Sequence, residues 1–460
     1  QTDNCNKKKY YHFNWFCVVL LQSVHNLCSV GQFVFCRNPM ENHNVLFSRS
    51  DESSSTLKNV SGIDNCSCTE ETRLMEWAKS HGVRTALDIS YFEKYGRGAI
   101  ATTGLNAGDV ALEIPVSILI SEQLVQGTDM YNILKKIDGI SSETIVLLWT
   151  IQERHNCDSR FRTYFCSLPK EFNTGLSFGY DAIMILDGTL LLEELMQAKQ
   201  HLREQYDELI VPLCNSQPAI FPPDLYTWDH YLWACELWYS NSMKIMFPDG
   251  QLRTCLVPVA GFLNHSLNAH IINYGKVDPV SSTLKFTLSR SCNSGEQCFL
   301  SYGNFPSSHF VIFYGFIPEG ENQCDGISLD IDLDEEENSN SDCGTHLVKG
   351  SWFATNHGLF HYGLPSSLLD CLRKARGHMP EKQTLTQTSL KVEVEILRDL
   401  QTTFRNMLEA LDDPDSSDSH SSWDMKLACN FKDLQTRLVC SILELCDHGL
   451  KLVHDELLLS

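Results

Sequence analysis

The chain has 460 residues, 43% hydrophobic and 10% aromatic, more than one ordinary core serves and too apolar for a disordered protein. Its 36 Lys plus Arg face 58 Asp plus Glu, a formal charge of −22; such a field repels phosphate backbones, so no nucleic-acid partner is expected and a basic protein partner fits better. The 19 cysteines are odd in number and irregular in spacing, contain no CxxC pair, and follow no secretory signal, so they read as reduced thiols of an intracellular protein, with no metal site implied.

Residues 1–70 are rich in Asn, Ser and Cys with weak periodicity and are expected to form a poorly structured extension. Their apolar run FNWFCVVLL (13–21) falls short of the roughly 20 apolar residues that a bilayer crossing needs, so no membrane partner is expected. Order begins at TEETRLMEWAKSHGV, where Leu74, Trp77 and Ala78 share a helical face and Gly82 ends the helix. The next stretch, GRGAIATTGLNAGDVALEIP, reads as a strand, a turn at Asn106 to Asp109 and a second strand of a small sheet. From about 141 to 243 helices take over. Leu191, Leu195, Ala198, Leu202 and Leu209 line one face, and Thr227 is placed to cap the aromatic-rich helix of TWDHYLWACELWYSNSM. Strand-like segments return in RTCLVPVAGFL, HIINYG, LKFTLS and QCFLSYG.

The acidic stretch DIDLDEEENSNSDCGT reads as a solvated linker or loop over 321–345. Two apolar stripes follow within 346–460, Ile396, Leu400, Phe404, Met407 and Leu411, then Leu434, Leu438, Ile442 and Leu445, separated by DDPDSSDSH and spaced as a helix-bundle core. The expected class is α+β: a β-rich unit over 71–320 with a helical insert, followed by an all-α C-terminal domain.

One stretch does not suit a core. PVAGFLNHS (258–266) reads as a buried strand and turn, yet carries Asn264 beside His265. A buried amide without partners costs about 1–3 kcal/mol, so Asn264 needs a partner from distant chain or from a ligand. Gly96, Arg97 and Gly98 lie beside a strand, where glycines let a ligand approach the backbone closely.

In this order, GRG, SRFRTYFCSLPKEF, GTLLLEE, LVPVAGFLNHS, GEQCFLSYGNF and FYGFIP resemble the motifs of SET-domain methyltransferases of the Rubisco large-subunit methyltransferase-like group, which includes a histidine-methylating branch. The resemblance covers about residues 70–320. The helical remainder is similar, less specifically, to the group's substrate-binding domain, and residues 1–70 match nothing in it.

The resemblance implies a SET-type β-rich pseudoknot fold, in which the NHS and YG segments thread against one another, and the cofactor S-adenosylmethionine. Asn264 is expected at the cofactor's amino-acid end and His265 at its adenine through the main chain, with the backbone of Gly96, Arg97, Gly98, Ala99 and Ile100 completing the pocket. Tyr302 matches the catalytic tyrosine. Tyr314 and Tyr274 match aromatics of the target channel, with Asn241 beside them. Methyl transfer to an amine is an in-line displacement, so no metal is implied. The implied function is protein N-methylation on lysine, with histidine second, by a monomer in the cytoplasm or nucleus, or in the chloroplast where a targeting segment precedes this sequence. Two positions depart from the pattern. Gly261 replaces a common acidic residue, and Tyr239 and Asn241 stand where arginines are common; Lys244 is the nearest replacement cation. These departures motivate the alternative of a catalytically weak or inactive SET-like interaction scaffold.

Overall fold

The computed structural model describes residues 69–331, 344–377, 386–412 and 422–459. Nearly all of the N-terminal extension, with its apolar run, most of the acidic stretch and most of DDPDSSDSH lie outside the described residues.

The first helix, Glu70–Ser80, opens where the Thr69 hydroxyl accepts the Thr72 N–H at 3.2 Å, and it buries Leu74, Met75 and Ala78. Just beyond its end Gly82 takes a φ of 88°, a conformation open to glycine. Four strands follow: β1 (Arg84–Thr85), β2 (Leu87–Phe92), β3 (Gly96–Ala101) and β4 (Val110–Pro115). β2 and β3 form an antiparallel hairpin. The Asn106–Asp109 turn joins β3 to β4, but the two do not pair. Ala111, Leu112 and Ile114 of β4 are all buried, so this strand needs cover on both faces and lies inside a different sheet.

The helical insert carries Ser142–His155, Leu190–Gln205 and Trp228–Asn241, the last capped by the Thr227 hydroxyl. Leu191, Leu195, Ala198 and Leu202 are buried as the spacing predicts. Leu209 is only half-buried, and Ile210 is buried in its place. The reason is a π-helical turn over Tyr206–Ile210, whose extra residue rotates the apolar face by one position.

The insert leads into the hairpin of β5 (Ser242–Met246) and β6 (Leu252–Leu256). The strand expected through PVAGFL stops at Leu256; Ala260–Phe262 is a 3-10 turn. β7 (Val277–Asp278) and β8 (Thr283–Thr287) complete an antiparallel sheet of order β1-β4-β8-β7. The segment around Leu300 is then threaded between two others. Leu300 N donates to Asn264 O at 2.8 Å, while Ser301 N donates to Ile271 O at 2.9 Å and Ile271 N to Phe299 O at 3.1 Å. Gln297 bridges to Ile100 of β3 on the same path. This threading is the pseudoknot that the SET resemblance implied.

A hairpin of β9 (Ile327–Asp330) and β10 (Thr345–Val348) precedes the C-terminal helices Ser366–Lys374, Gln387–Leu411 and Trp423–Leu459. These close a second core around Leu397, Phe404, Val439 and Ile442. The last helix has 37 residues, about 55 Å of rise, and serves both cores. Its Leu427, Ala428 and Phe431 pack into the first core, whereas Leu438, Ile442 and Leu445 pack into the second. Gln435 accepts the Leu190 N–H and Asp424 the Gly179 N–H, both at 3.0 Å, which fastens this helix to the insert. Cys371 is disulfide-bonded, an exception to the reading of the cysteines as reduced thiols. Among the described residues no helix is long and apolar enough to cross a membrane.

Candidate active site

A cavity of about 640 Å³ opens between β3, the end of helix Trp228–Asn241 and the pseudoknot. Arg97, Asn241, Asn264, His265, Tyr302 and Tyr314 share its wall, although up to 217 positions separate them in the chain. At its rim Tyr95 donates to Glu319 at 2.8 Å, and Lys94 forms an ion pair with the same carboxylate.

The turn that aims Asn264 and His265 is strained. Val259, a β-branched residue, takes φ 72° and ψ −42°, an outlier of the kind that costs about 1–3 kcal/mol and gathers at functional sites. From this turn Asn264 spends its Nδ2 on the Arg97 carbonyl at 3.0 Å, which leaves its Oδ1 as an open acceptor. The amide is thus half satisfied by distant chain. His265 accepts the Tyr302 N–H at Nδ1 (3.1 Å), so the proton of the neutral ring sits on Nε2, which is buried and has no partner. The ring stacks on Phe310 at 4.7 Å, and burial pushes its pKa down to about 4.

Tyr302 donates its hydroxyl to Leu263 O at 2.9 Å, and its ring lies 5.0 Å from that of Tyr314. Burial holds both phenols well above their usual pKa, so both remain protonated at neutral pH. The helix carrying Tyr314 ends at Gly315 with φ 79°, where a Cβ would overlap the Asn173 carbonyl; only glycine lets this wall close.

Not every expected residue reaches the cavity. Tyr274 lies behind the wall, its hydroxyl donating to Ser301 O at 3.1 Å and its ring stacked on Phe286. Gly96, Ala99 and Ile100 serve β3, which Cys298 N meets at Ala99 O and Gln297 at Ile100. Gly98 has a closer function: a Cβ there would stand 2.9 Å from Asn264 Nδ2 and closer still to Gln297 Nε2. Lys244 is exposed on β5 and forms no part of the wall.

The two departures from the family pattern turn out to be neighbours. Asn241 Oδ1 stands 2.7 Å from where a Cβ of residue 261 would lie, so Gly261 makes room for Asn241. One buried feature beneath the wall also escaped sequence reasoning. Glu236 accepts the hydroxyls of Thr174 and Ser177, each at 2.6 Å, and burial pushes its pKa up to about 7. Nothing in the helical period marks it, since Glu236 occupies a core position among apolar neighbours.

The donor atoms of His270, Cys292 and Cys298 lie within 4.8 Å of one another. The Phe299 N–H occupies His270 Nδ1 at 3.1 Å, which leaves the proton on Nε2 facing Glu296, and the Arg290 guanidinium lies against the same ring. The lone pair that a metal requires is therefore already engaged.

No family model matches the chain. The actin-histidine N-methyltransferase of Xenopus tropicalis is 25% identical over 256 residues, 54% of this chain and 43% of that protein. The chloroplastic Rubisco large-subunit N-methyltransferase of Pisum sativum is 25% identical over 259 residues, 54% of this chain and 51% of that protein. The chain spans about half the length of these curated relatives. The solved SET domain of LSMT bound to lysine and AdoHcy superposes with a TM-score of 0.63 at 18% identity, covering 84% of this chain and 92% of that one. Rubisco LSMT bound to AdoMet gives 0.61 at 19% identity, covering 84% and 93%. The fold is α+β of the SET type with a helical C-terminal region, and the sequence is similar, over about half of its length, to these two N-methyltransferases.

Proposed function

We propose that the chain is an S-adenosylmethionine-dependent protein N-methyltransferase whose target is a lysine side chain, with histidine second. The observation that carries this reading is the convergence of Arg97, Asn264, His265, Tyr302 and Tyr314 on one cavity. Its volume of 640 Å³ lies within the roughly 300–1,000 Å³ of small-molecule sites. The polar groups fit the cofactor: an open Asn264 Oδ1, a buried unpartnered His265 Nε2, and an Arg97 that engages Ser167 O and Glu71 through Nη1 alone.

The bound cofactor supplies a methyl group on a positively charged sulfur. Asn264 Oδ1 would accept from its ammonium, and the remaining N–H groups of Arg97 would be available to hold its carboxylate. Tyr302 stays protonated and gives its hydrogen to Leu263 O, so the phenol oxygen keeps lone pairs to accept an N–H of the target amine. That contact directs the amine's own lone pair along the axis of displacement. Tyr302 orients and does not act as the base; the proton of the arriving ammonium passes to solvent. Alignment of this kind supplies up to roughly 7–11 kcal/mol of barrier reduction.

The lysine reading draws support from a structural neighbour bound to lysine, and the histidine reading from actin-histidine relatives of equal identity. The C-terminal helices would grip the folded target, because affinity must come from surface remote from the reacting atom. A monomer in an intracellular compartment, binding neither nucleic acid nor membrane, completes the proposal. The uncharged pair Asn241 and Gly261 favours the second reading, a scaffold that binds the donor without turnover.

The test is incubation of wild type and Tyr302→Phe with methyl-labelled S-adenosylmethionine in a cell extract, followed by amino-acid analysis of the labelled protein. Label on lysine, slowed roughly a hundredfold by Tyr302→Phe with donor affinity changed only a few-fold, is the expected result. Label on histidine selects the other target. Donor binding with no labelled protein selects the scaffold, and a wild-type rate in Tyr302→Phe overturns the catalytic assignment.

A further inference from the structure

We infer that the turn 93–95, at the tip of the β2–β3 hairpin, is a latch across the mouth of the cavity, fastened by Glu319, that sets how fast the methyl donor exchanges. The inference rests on the proposed cofactor and concerns the regulation of that same site. Lys94, Tyr95 and Glu319 line the cavity and are also exposed, which places them at its opening. The two sides of that opening are 224 positions apart in the chain and meet on one carboxylate. Tyr95 donates its hydroxyl to Glu319 Oε2 at 2.8 Å, and Lys94 pairs with Oε1, so both oxygens are engaged by the turn.

The hairpin is held differently at its two ends. Toward the base, Cys298 N donates to Ala99 O at 2.8 Å and Ala101 N to Glu296 O at 2.9 Å, which ties β3 to the threaded segment. Beyond the last pair of the hairpin, Phe92 with Gly96, no backbone hydrogen bond joins the turn to the rest of the described residues. The tip rests instead on the Tyr95 ring, edge-on to Phe299 at 5.3 Å, and on the two contacts to Glu319. A pinned base with a tip held by exposed side chains opens at small cost, since exposed ion pairs are among the weakest contacts in a protein. Both anchors flank the donor's part of the cavity: Tyr95 adjoins Gly96 and Arg97, and Glu319 follows shortly after Phe316, whose ring lies 6.1 Å from that of His265. The latch contacts are made within the chain and not through a ligand, so closing them favours the empty and the loaded cavity alike.

The experiment measures exchange rates. Release of radiolabelled S-adenosylhomocysteine is followed by rapid filtration after a chase of unlabelled ligand, calorimetry gives the affinity, and the two together give the association rate. The proteins compared are wild type, Glu319→Ala, Tyr95→Phe and the double variant. Glu319→Ala should speed release and association together by roughly five- to tenfold and leave affinity within about twofold, because losing a latch lowers the barrier in both directions. Tyr95→Phe should give part of that increase, and nothing further in the Glu319→Ala background, since the hydroxyl acts through the same carboxylate. Added salt should quicken exchange in wild type and leave Glu319→Ala unmoved, because it screens an exposed ion pair while the ligand carries no net charge. Faster release with a matching loss of affinity overturns the latch and makes Glu319 a ligand contact. Rates unchanged in both single variants overturn it outright. Failure of wild type to bind S-adenosylhomocysteine at all overturns the cofactor reading and the latch with it.

Discussion

Polar groups are buried in both halves of the molecule, but they are treated differently. In the helical half Arg373 and Glu393, both almost fully buried, form a closed network. Arg373 reaches Glu393 through Nε at 2.7 Å and Nη2 at 2.9 Å, Phe360 O at 2.7 Å and Asp370 at 3.0 Å, and Tyr362 donates to Glu393 at 2.9 Å. Around the cavity, by contrast, Asn241 and Asn264 leave oxygens open, and His265 Nε2 is buried without a partner. A closed network specifies how three segments dock; Asn241 and Asn264 are only half-buried, and a buried group left open, as His265 Nε2 is, carries a cost that a partner would remove. The closed network ties segments of the helical half together, whereas the open groups named here line the cavity.

The sharpest way to break this contrast is Glu393→Ala. It strands a buried guanidinium and should cost about 3–5 kcal/mol in urea unfolding, whereas Arg373→Met with Glu393→Leu should recover most of the loss. A single-variant cost near zero would mean that the network does not hold the helices. Next in size is Gly98→Ala, whose Cβ would stand 2.9 Å from both Asn264 Nδ2 and Phe92 Cδ2. Overpacking of about 1–3 kcal/mol should accompany weaker S-adenosylmethionine binding, read by thermal melting and calorimetry. Unchanged values of both would remove Gly98 from the site.

Acid should then reveal the ring held neutral beside the phenol. Burial depresses His265 from 6.5 to about 4, so its contribution to stability is complete above pH 6.5 and is lost as pH falls toward 4. His265→Asn should flatten the stability profile across that window, and a profile of unchanged slope would contradict it. The smallest effect is expected at Glu236, raised from 4.5 to about 7, where the hydroxyls of Thr174 and Ser177 still offset part of the burial cost of the charged form. Here the sign reverses: the contribution is complete below pH 4.5 and is lost as pH rises through 7. The melting temperature of wild type should therefore fall relative to Glu236→Gln between pH 5 and 8, and parallel curves would show that the carboxyl titrates normally.

Local features were legible in the chain. Thr227 caps its helix, Gly82 follows the end of the first helix, and the stripes through Ile396 and Leu438 face a core, because caps and periodicity depend on residues a few positions apart. The pairing of β4 was less accessible, since a strand's partner is chosen by which faces need cover. Leu209 was misplaced by a π-turn, and PVAGFL by a strained 3-10 turn that apolar composition does not announce.

The amino-acid sequence by itself determined the two-part plan and the identity of the motifs around Asn264, Tyr302 and Tyr314, for these are properties of short contiguous stretches. Only the tertiary structure decided that Tyr274 stands behind the wall, that the last helix serves both cores, and that Asn241 and Gly261 are matched to one another. Those outcomes depend on side-chain volumes meeting across distant segments, where a few tenths of an ångström decide what fits and no local pattern records the encounter.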